Sequence, residues 1–89
     1  NQQKLADINF IGKTENTIFD LLGKAQLSRI DGSVYTLRYD TKKCRLFLFF
    51  NQEANDKRVE YFELRNDKAE LLNSKQALEG CYKEFNLLN

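Results

Sequence analysis

The polarity pattern changes period twice along this 89-residue chain. Residues 1–9 open as "NQQKLAD", polar and weakly patterned, and read as a flexible lead-in. Between Thr14 and Gly23 the apolar residues Ile18, Leu21 and Leu22 recur at i, i+3 and i+4, with Phe19 beside them, so a short helix turns one face toward a core. Thr14 can cap its first turn, Glu15 faces the positive end of its dipole, and Gly23 can end it without a Cβ clash. From Gln26 the period shortens to two. "QLSRI" and "SVYTLRY", joined by Asp31-Gly32, predict an antiparallel hairpin, and "CRLFLFF" predicts a third, well-covered strand. A polar loop, "NQEANDK", leads to a fourth, "RVEYFEL". The polar "RNDK" then breaks the sheet, and Leu78, Cys81, Tyr82 and Phe85 restore helical spacing over Ser74–Leu88, with Ser74 as N-cap.

This order predicts one α+β domain spanning 1–89: a short N-terminal helix, an antiparallel meander of three to four strands, and a C-terminal helix packed on one sheet face. A chain of this length buries only about 60 to 65% of its unfolded surface, so the core is thin and any crosslink matters.

Charge narrows the partner classes. Fourteen Lys and Arg stand against thirteen Asp and Glu, with the signs interspersed. A nucleic-acid binder draws most of its affinity from phosphate neutralisation and shows a basic excess or stripe, so no nucleic-acid partner is expected. The longest apolar run, Leu46–Phe50, has the length of a strand and not of a membrane span. There is no Met at any position, position 1 included, which leads us to expect a trimmed or processed product, so a signal peptide's absence from this sequence does not argue for a cytosolic protein.

Catalytic chemistry has little to work with. No His is present, which removes the usual general base, the commonest metal ligand and every Ser-His or Cys-His pair. Two Cys without His do not make an ordinary zinc site. We therefore expect no metal, no cofactor and no enzymatic activity. Asp31, Asp40, Glu60 and Glu63 fall on turns or exposed strand faces, where a solvated role is expected. Gly12-Lys13-Thr14 is similar to the end of a phosphate loop, but the required upstream glycine and preceding buried strand are missing.

The cysteines are more informative. Cys44 opens the third strand and Cys81 lies on the apolar face of the last helix, so a helix packed across that strand brings them close. An even pair in a small domain fits a disulfide and an oxidising compartment. Two buried free thiols acting as small hydrophobes fit the residues equally well. The aromatics gather on the strands, and Tyr35, Phe47, Phe49 and Tyr61 are the candidates for an exposed, partner-binding patch, because helices on one face cover only half of a sheet.

The stretches "IGKTENTIFDLLGKAQLSRIDG", "VYTLRYD", "CRLFLFFN" and "RVEYFELR" together resemble the small outer-membrane lipoprotein family called SmpA/OmlA, or BamE-like. There a first glycine, here Gly12, precedes a short helix that ends in a leucine-glycine pair, here Leu22-Gly23. An aromatic-x-Tyr strand and a short apolar strand follow, matched by Leu37-Arg38-Tyr39 and Leu46–Phe50. Ala25 stands where the family's proline is expected, and Leu37 where it often has Trp. Within the family the resemblance is to an alphaproteobacterial lipoprotein-like group with an Arg-Asp-Gly turn, a Cys opening the apolar strand and a second Cys near the C-terminus. Ile30-Asp31-Gly32, Cys44 and Cys81 occupy those places.

The resemblance implies a Cys44–Cys81 disulfide and a periplasmic protein held at the outer membrane by a lipid anchor outside this chain. It also implies a role as a binding or assembly accessory of envelope proteins. The partner and the oligomeric state do not carry over. Because the same fold recurs in beta-lactamase inhibitor proteins, the alternative is an inhibitor of an envelope or secreted hydrolase, using the loops "RIDGS" and "NQEANDK".

Overall fold

Local chemistry sets both helices. In the computed structural model, which describes residues 2–89, Thr14 Oγ1 accepts a hydrogen bond from Thr17 N at 3.3 Å and opens α1, Glu15–Leu22. Gly23 closes it at φ 77°, a conformation that L side chains rarely adopt, and donates its N–H to Phe19 O at 2.8 Å. Gly12, at φ 85°, makes the turn before the helix. Its N–H donates to Val59 O at 2.8 Å while Val59 N–H returns to Lys13 O at 2.9 Å. The two glycines thus bracket α1 because the chain must dock against the sheet before the helix and reverse into the sheet after it. The second helix, α2, covers Lys75–Glu84 and is capped by Ser74 Oγ, which accepts from Ala77 N at 3.2 Å.

The sheet is an antiparallel meander of five strands in sequence order: β1 Leu27–Asp31, β2 Val34–Asp40, β3 Cys44–Asn51, β4 Val59–Asn66 and β5 Leu71–Leu72. The fold class is α+β as expected, with one strand more than the predicted three to four. The "RNDK" segment turns the chain without ending the sheet. Asn66 Oδ1 accepts from Lys68 N at 2.9 Å and Glu70 N at 3.0 Å, Ala69 adopts φ 66°, and β5 returns to pair Leu72 with Leu64 and Leu71 with Arg65. A two-residue strand is too short to leave a periodic signal.

Both chain ends depart from expectation in a related way. Helix α2 stops at Glu84, short of Leu88, because Asn86 at φ 62° reverses the chain and Leu87 N–H donates back to Tyr82 O at 2.9 Å. The segment expected as a flexible lead-in is fastened to that reversed end. Gln3 N–H donates to Leu87 O at 2.7 Å, Asn89 N–H donates to Gln3 O at 3.0 Å, Leu5 and Ile8 pack on the core, and Phe10 is buried. Asn1 lies outside the described residues.

One face of the sheet carries the core. Leu37 and Tyr39 of β2, Cys44, Leu46, Leu48 and Phe50 of β3, and Val59 and Leu64 of β4 are buried with Phe10, Ile18 of α1, Cys81 and Tyr82 of α2, and Leu87. Phe10 meets the Phe62 ring edge-on at 5.1 Å and lies 6.2 Å from Tyr82, which joins the lead-in, β4 and α2. Both helices therefore cover the same face. Cys44 and Cys81 form the disulfide, with Cα atoms 5.8 Å apart, and tie the central strand to α2.

A second tie joins α2 to the turn between β2 and β3. Glu84 Oε1 accepts from Thr41 Oγ1 at 2.6 Å and from Lys43 N at 3.2 Å, and these bonds, the Thr41 hydroxyl foremost, hold the carboxyl below its usual range. Because the folded pKa is depressed, this contribution is present above the ordinary Glu value and is lost as pH falls through the lowered one. Glu84→Gln is expected to lower stability modestly at neutral pH and to flatten the acid side of the stability curve. Thermal melts from neutral to strongly acidic pH check this; identical acid limbs for variant and wild type would contradict it.

Candidate functional site

The opposite face of the sheet has no covering element among the described residues. Alternation along β2 and β3 turns Val34, Thr36, Arg38 and Asp40, and Arg45, Phe47, Phe49 and Asn51, away from the core. On β4 the same result needs an irregularity. Phe49 pairs with Tyr61, but Phe50 pairs with Val59, so Glu60 is an extra residue in a β-bulge. Without it Val59 and Tyr61 would point the same way. With it Val59 enters the core and Tyr61 stands on the outer face at 56% exposure.

Register then assembles the face in rows. Thr36, Phe49 and Tyr61 stand side by side across β2, β3 and β4, and Arg38, Phe47 and Glu63 form the next row. The Phe47 and Phe49 rings are stacked with centroids 6.3 Å apart, and Phe49 stacks on Tyr61 at 5.7 Å. Leu27, Arg29, Asp31, Val34, Thr36, Phe47, Phe49, Glu63 and Arg65 bound a shallow groove of about 430 Å³ along this face.

Ion pairs frame the aromatics. Arg38 Nε lies 3.0 Å from Asp40 Oδ1, Arg45 Nε lies 3.7 Å from the same oxygen, and Arg65 donates to Glu63 through Nε at 3.1 Å and Nη2 at 3.3 Å. Asp40 and Glu63 are thus half-buried partners of arginine and not the freely solvated groups the sequence led us to expect. Asp31 and Glu60 do remain exposed, and Asp31 makes only a 3.8 Å contact with Arg29. No converging group of three or more His, Cys, Asp or Glu side chains is found among the described residues.

Of the four aromatics read from the sequence as partner-binding candidates, Phe47, Phe49 and Tyr61 come together on this face. Tyr35 does not join them. It shares the parity of Leu37 and Tyr39, lies on the core side and packs on Phe50 at 5.4 Å. The arginines of the outer face were not singled out in the sequence. The signal that could have found them is their spacing, Arg38 and Arg45 sharing the outward parity of Thr36 and Phe47.

Tyr35 and Tyr39 have a structural part. Tyr39 donates its hydroxyl to Gly23 O at 2.7 Å, which fixes the end of α1 against β2. Burial, with Glu15 alongside, pushes both tyrosines up to about 12. An unfolded tyrosine gives up its proton near 10, so the folded state holds the proton more tightly. This stabilisation is complete below the unfolded value and is lost as pH rises toward about 12. Tyr39→Phe is expected to cost roughly 1 kcal/mol at neutral pH through the lost hydrogen bond and to soften the alkaline fall in melting temperature. An alkaline limb unchanged from wild type would contradict the assignment.

Comparison with protein-family models, with curated proteins and with solved structures finds no match to this chain. No helix among the described residues is long and apolar enough to cross a membrane.

Proposed function

We propose that this domain is a non-enzymatic binding module that docks an envelope protein on the open face of its sheet. The observation that carries the reading is the stacked cluster of Phe47, Phe49 and Tyr61, aromatic, half-exposed and backed by a disulfide-tied layer. Aromatic and Arg side chains are the residues in which interface centres are enriched, and each contributes most where a partner excludes water from it. The arginines of this face already pair with carboxylates, which favours a protein surface over a polyphosphate. The Cys44–Cys81 bridge supports an oxidising compartment. Taken with the BamE-like resemblance, it supports a periplasmic setting, outer-membrane attachment through a lipid anchor, and a role in assembly or integrity of the envelope.

The test is a photo-crosslinking residue placed at Phe49 or Tyr61 in native cells, with Lys75 on α2 as control. Discrete adducts from the two outer-face positions and none from Lys75 are expected. Equal adducts from all three positions, or none, would sink the proposal.

One observation favours the inhibitor as a second reading. The β1–β2 turn and the β3–β4 loop lie at the same end of the sheet and are joined by Gln52 N–H donating to Ser33 O at 2.8 Å, so two loops are presented together. Inhibition of a beta-lactamase or peptidoglycan hydrolase by the purified domain, abolished by changes in these loops and not at Tyr61, would favour that reading.

A further inference from the structure

Strand β1 is a free edge. Among the described residues it pairs only with β2, while the opposite edge of the sheet is the two-residue β5. All five residues of β1 are exposed, and Ile30, at 60%, is more exposed than the other large apolar side chains of the fold. Such an edge presents unpaired backbone groups to any strand that fits it.

The phase of the ladder says which groups are free. Gln52 N–H donates to Ser33 O, so at this end of β2 it is Ser33 that faces β3, and Val34 turns its backbone toward Asp31. Alternation then commits the backbone groups of Leu27, Arg29 and Asp31 to β2. Those of Ser28 and Ile30 point outward.

We infer that this edge pairs with the β1 edge of a second copy of the chain, antiparallel about a two-fold axis through Ile30. Antiparallel pairing around such an axis keeps both outer faces on one side and requires outward-pointing residues to oppose each other. Every register centred on a residue of this strand satisfies that; those centred on Leu27 and Asp31 oppose a single strand residue, and charge separates the remaining three. Centred on Arg29, the pairing sets Arg29 against Arg29 of the partner copy, like charges directly opposed. Centred on Ser28, it sets Arg29 against Leu27 and Asp31 against Ala25, with no complement. Centred on Ile30, it sets Arg29 opposite Asp31 and Asp31 opposite Arg29, in the closely spaced, non-hydrogen-bonded positions where side chains interact most. Ile30 then lies against its own copy on the helix side of the sheet and exchanges two backbone hydrogen bonds with it.

Within one chain Arg29 and Asp31 are only 3.8 Å apart and well exposed, at 70% and 81%, so both are free to turn to a partner. The result is a continuous ten-stranded sheet in which the two aromatic outer faces lie side by side. A five-residue edge makes a small interface, so the pair is weak and concentration-dependent.

The test is sedimentation of the intact domain from micromolar to millimolar concentration, with charge swaps. Wild type is expected to shift from the mass of one chain to that of two, and Arg29→Asp and Asp31→Arg to remain single at the same concentrations. Mixing the two variants is expected to restore a dimer, now a heterodimer, as is the double swap in one chain. Both positions are exposed and outside the core, and circular dichroism of each variant verifies its fold.

In wild type the Ile30 amide is expected to exchange more slowly as concentration rises. A single-chain mass at millimolar concentration would overturn the inference. So would a dimer that Asp31→Arg leaves intact, which is the behaviour of the Arg29-centred register, or Ile30 protection that appears only with another protein.

Discussion

Loss of the Cys44–Cys81 bridge, as the Cys44→Ala/Cys81→Ala double variant or by reduction, is expected to lower the melting temperature by roughly 15 to 30 °C. The bridge spans a sequence separation of 37, for which loop closure in the unfolded chain is worth roughly 4 kcal/mol. A small domain has only about 5 to 15 kcal/mol in total, so this is a large share. The position amplifies the effect. Cys44 opens the central strand and Cys81 lies on the buried face of α2, so without the bridge α2 is held by Tyr82, Leu78, the Glu84 contacts and the Leu87 return. Differential scanning calorimetry with and without reductant measures it, with free-thiol titration showing that reduction is complete. A shift of only a few degrees would show that the helix layer is secured by packing alone.

The second large effect separates the two faces of β3 and β4. Leu48→Ala removes a side chain that is fully buried on the inner face and is expected to cost about 2 to 5 kcal/mol of stability. Tyr61→Ser removes a half-exposed ring on the outer face and is expected to cost no more than about 1 kcal/mol, the scale of one cross-strand contact. Binding should show the reverse order. Against the partner recovered by crosslinking, Tyr61→Ser is expected to weaken affinity by about 30-fold or more, as loss of an interface centre does. Leu48→Ala, where it remains folded, should bind nearly as wild type. Thermal melts and titration calorimetry on the same samples give both readouts. A Tyr61→Ser variant that loses stability as Leu48→Ala does would make the aromatic cluster part of the core.

The parts of the fold that were legible in the sequence are those set by neighbouring residues. Thr14 and Ser74 capped the helices, Gly23 ended the first, and Asp31-Gly32 marked the hairpin, one residue early, since Asp31 closes β1 opposite Val34 and Gly32-Ser33 form the turn; each of these acts within a turn or two of chain. The proximity of the two cysteines was also readable, since one opened the apolar strand and the other lay on the apolar stripe of a helix. Whether they are bonded was not legible in the residues themselves, because a thiol pair and a disulfide bury equally well; the family resemblance implied the bond, and the structure contains it.

Contacts made across the chain were less visible. The pairing of Gln3 with Leu88 fixes a segment whose own composition reads as flexible, and β5 is too short to carry a period. The candidate site was half legible. Phe47 and Phe49 follow from alternation on β3, and the same alternation, applied to Leu37 and Tyr39, places Tyr35 inside. Tyr61 reaches the outer face only through the bulge at Glu60, which no Gly or Pro announces.

The most direct measurement of the docking claim is hydroxyl-radical footprinting of Phe47, Phe49 and Tyr61 in the isolated domain and in the native cell fraction that contains it, with the exposed Phe19 of α1 as internal reference. Strong labelling of Phe49 and Tyr61 in isolation and their protection in the native fraction, with Phe19 labelled alike in both, is the predicted result. Equal labelling of the outer-face aromatics in both samples would contradict the claim that this face is covered by a partner.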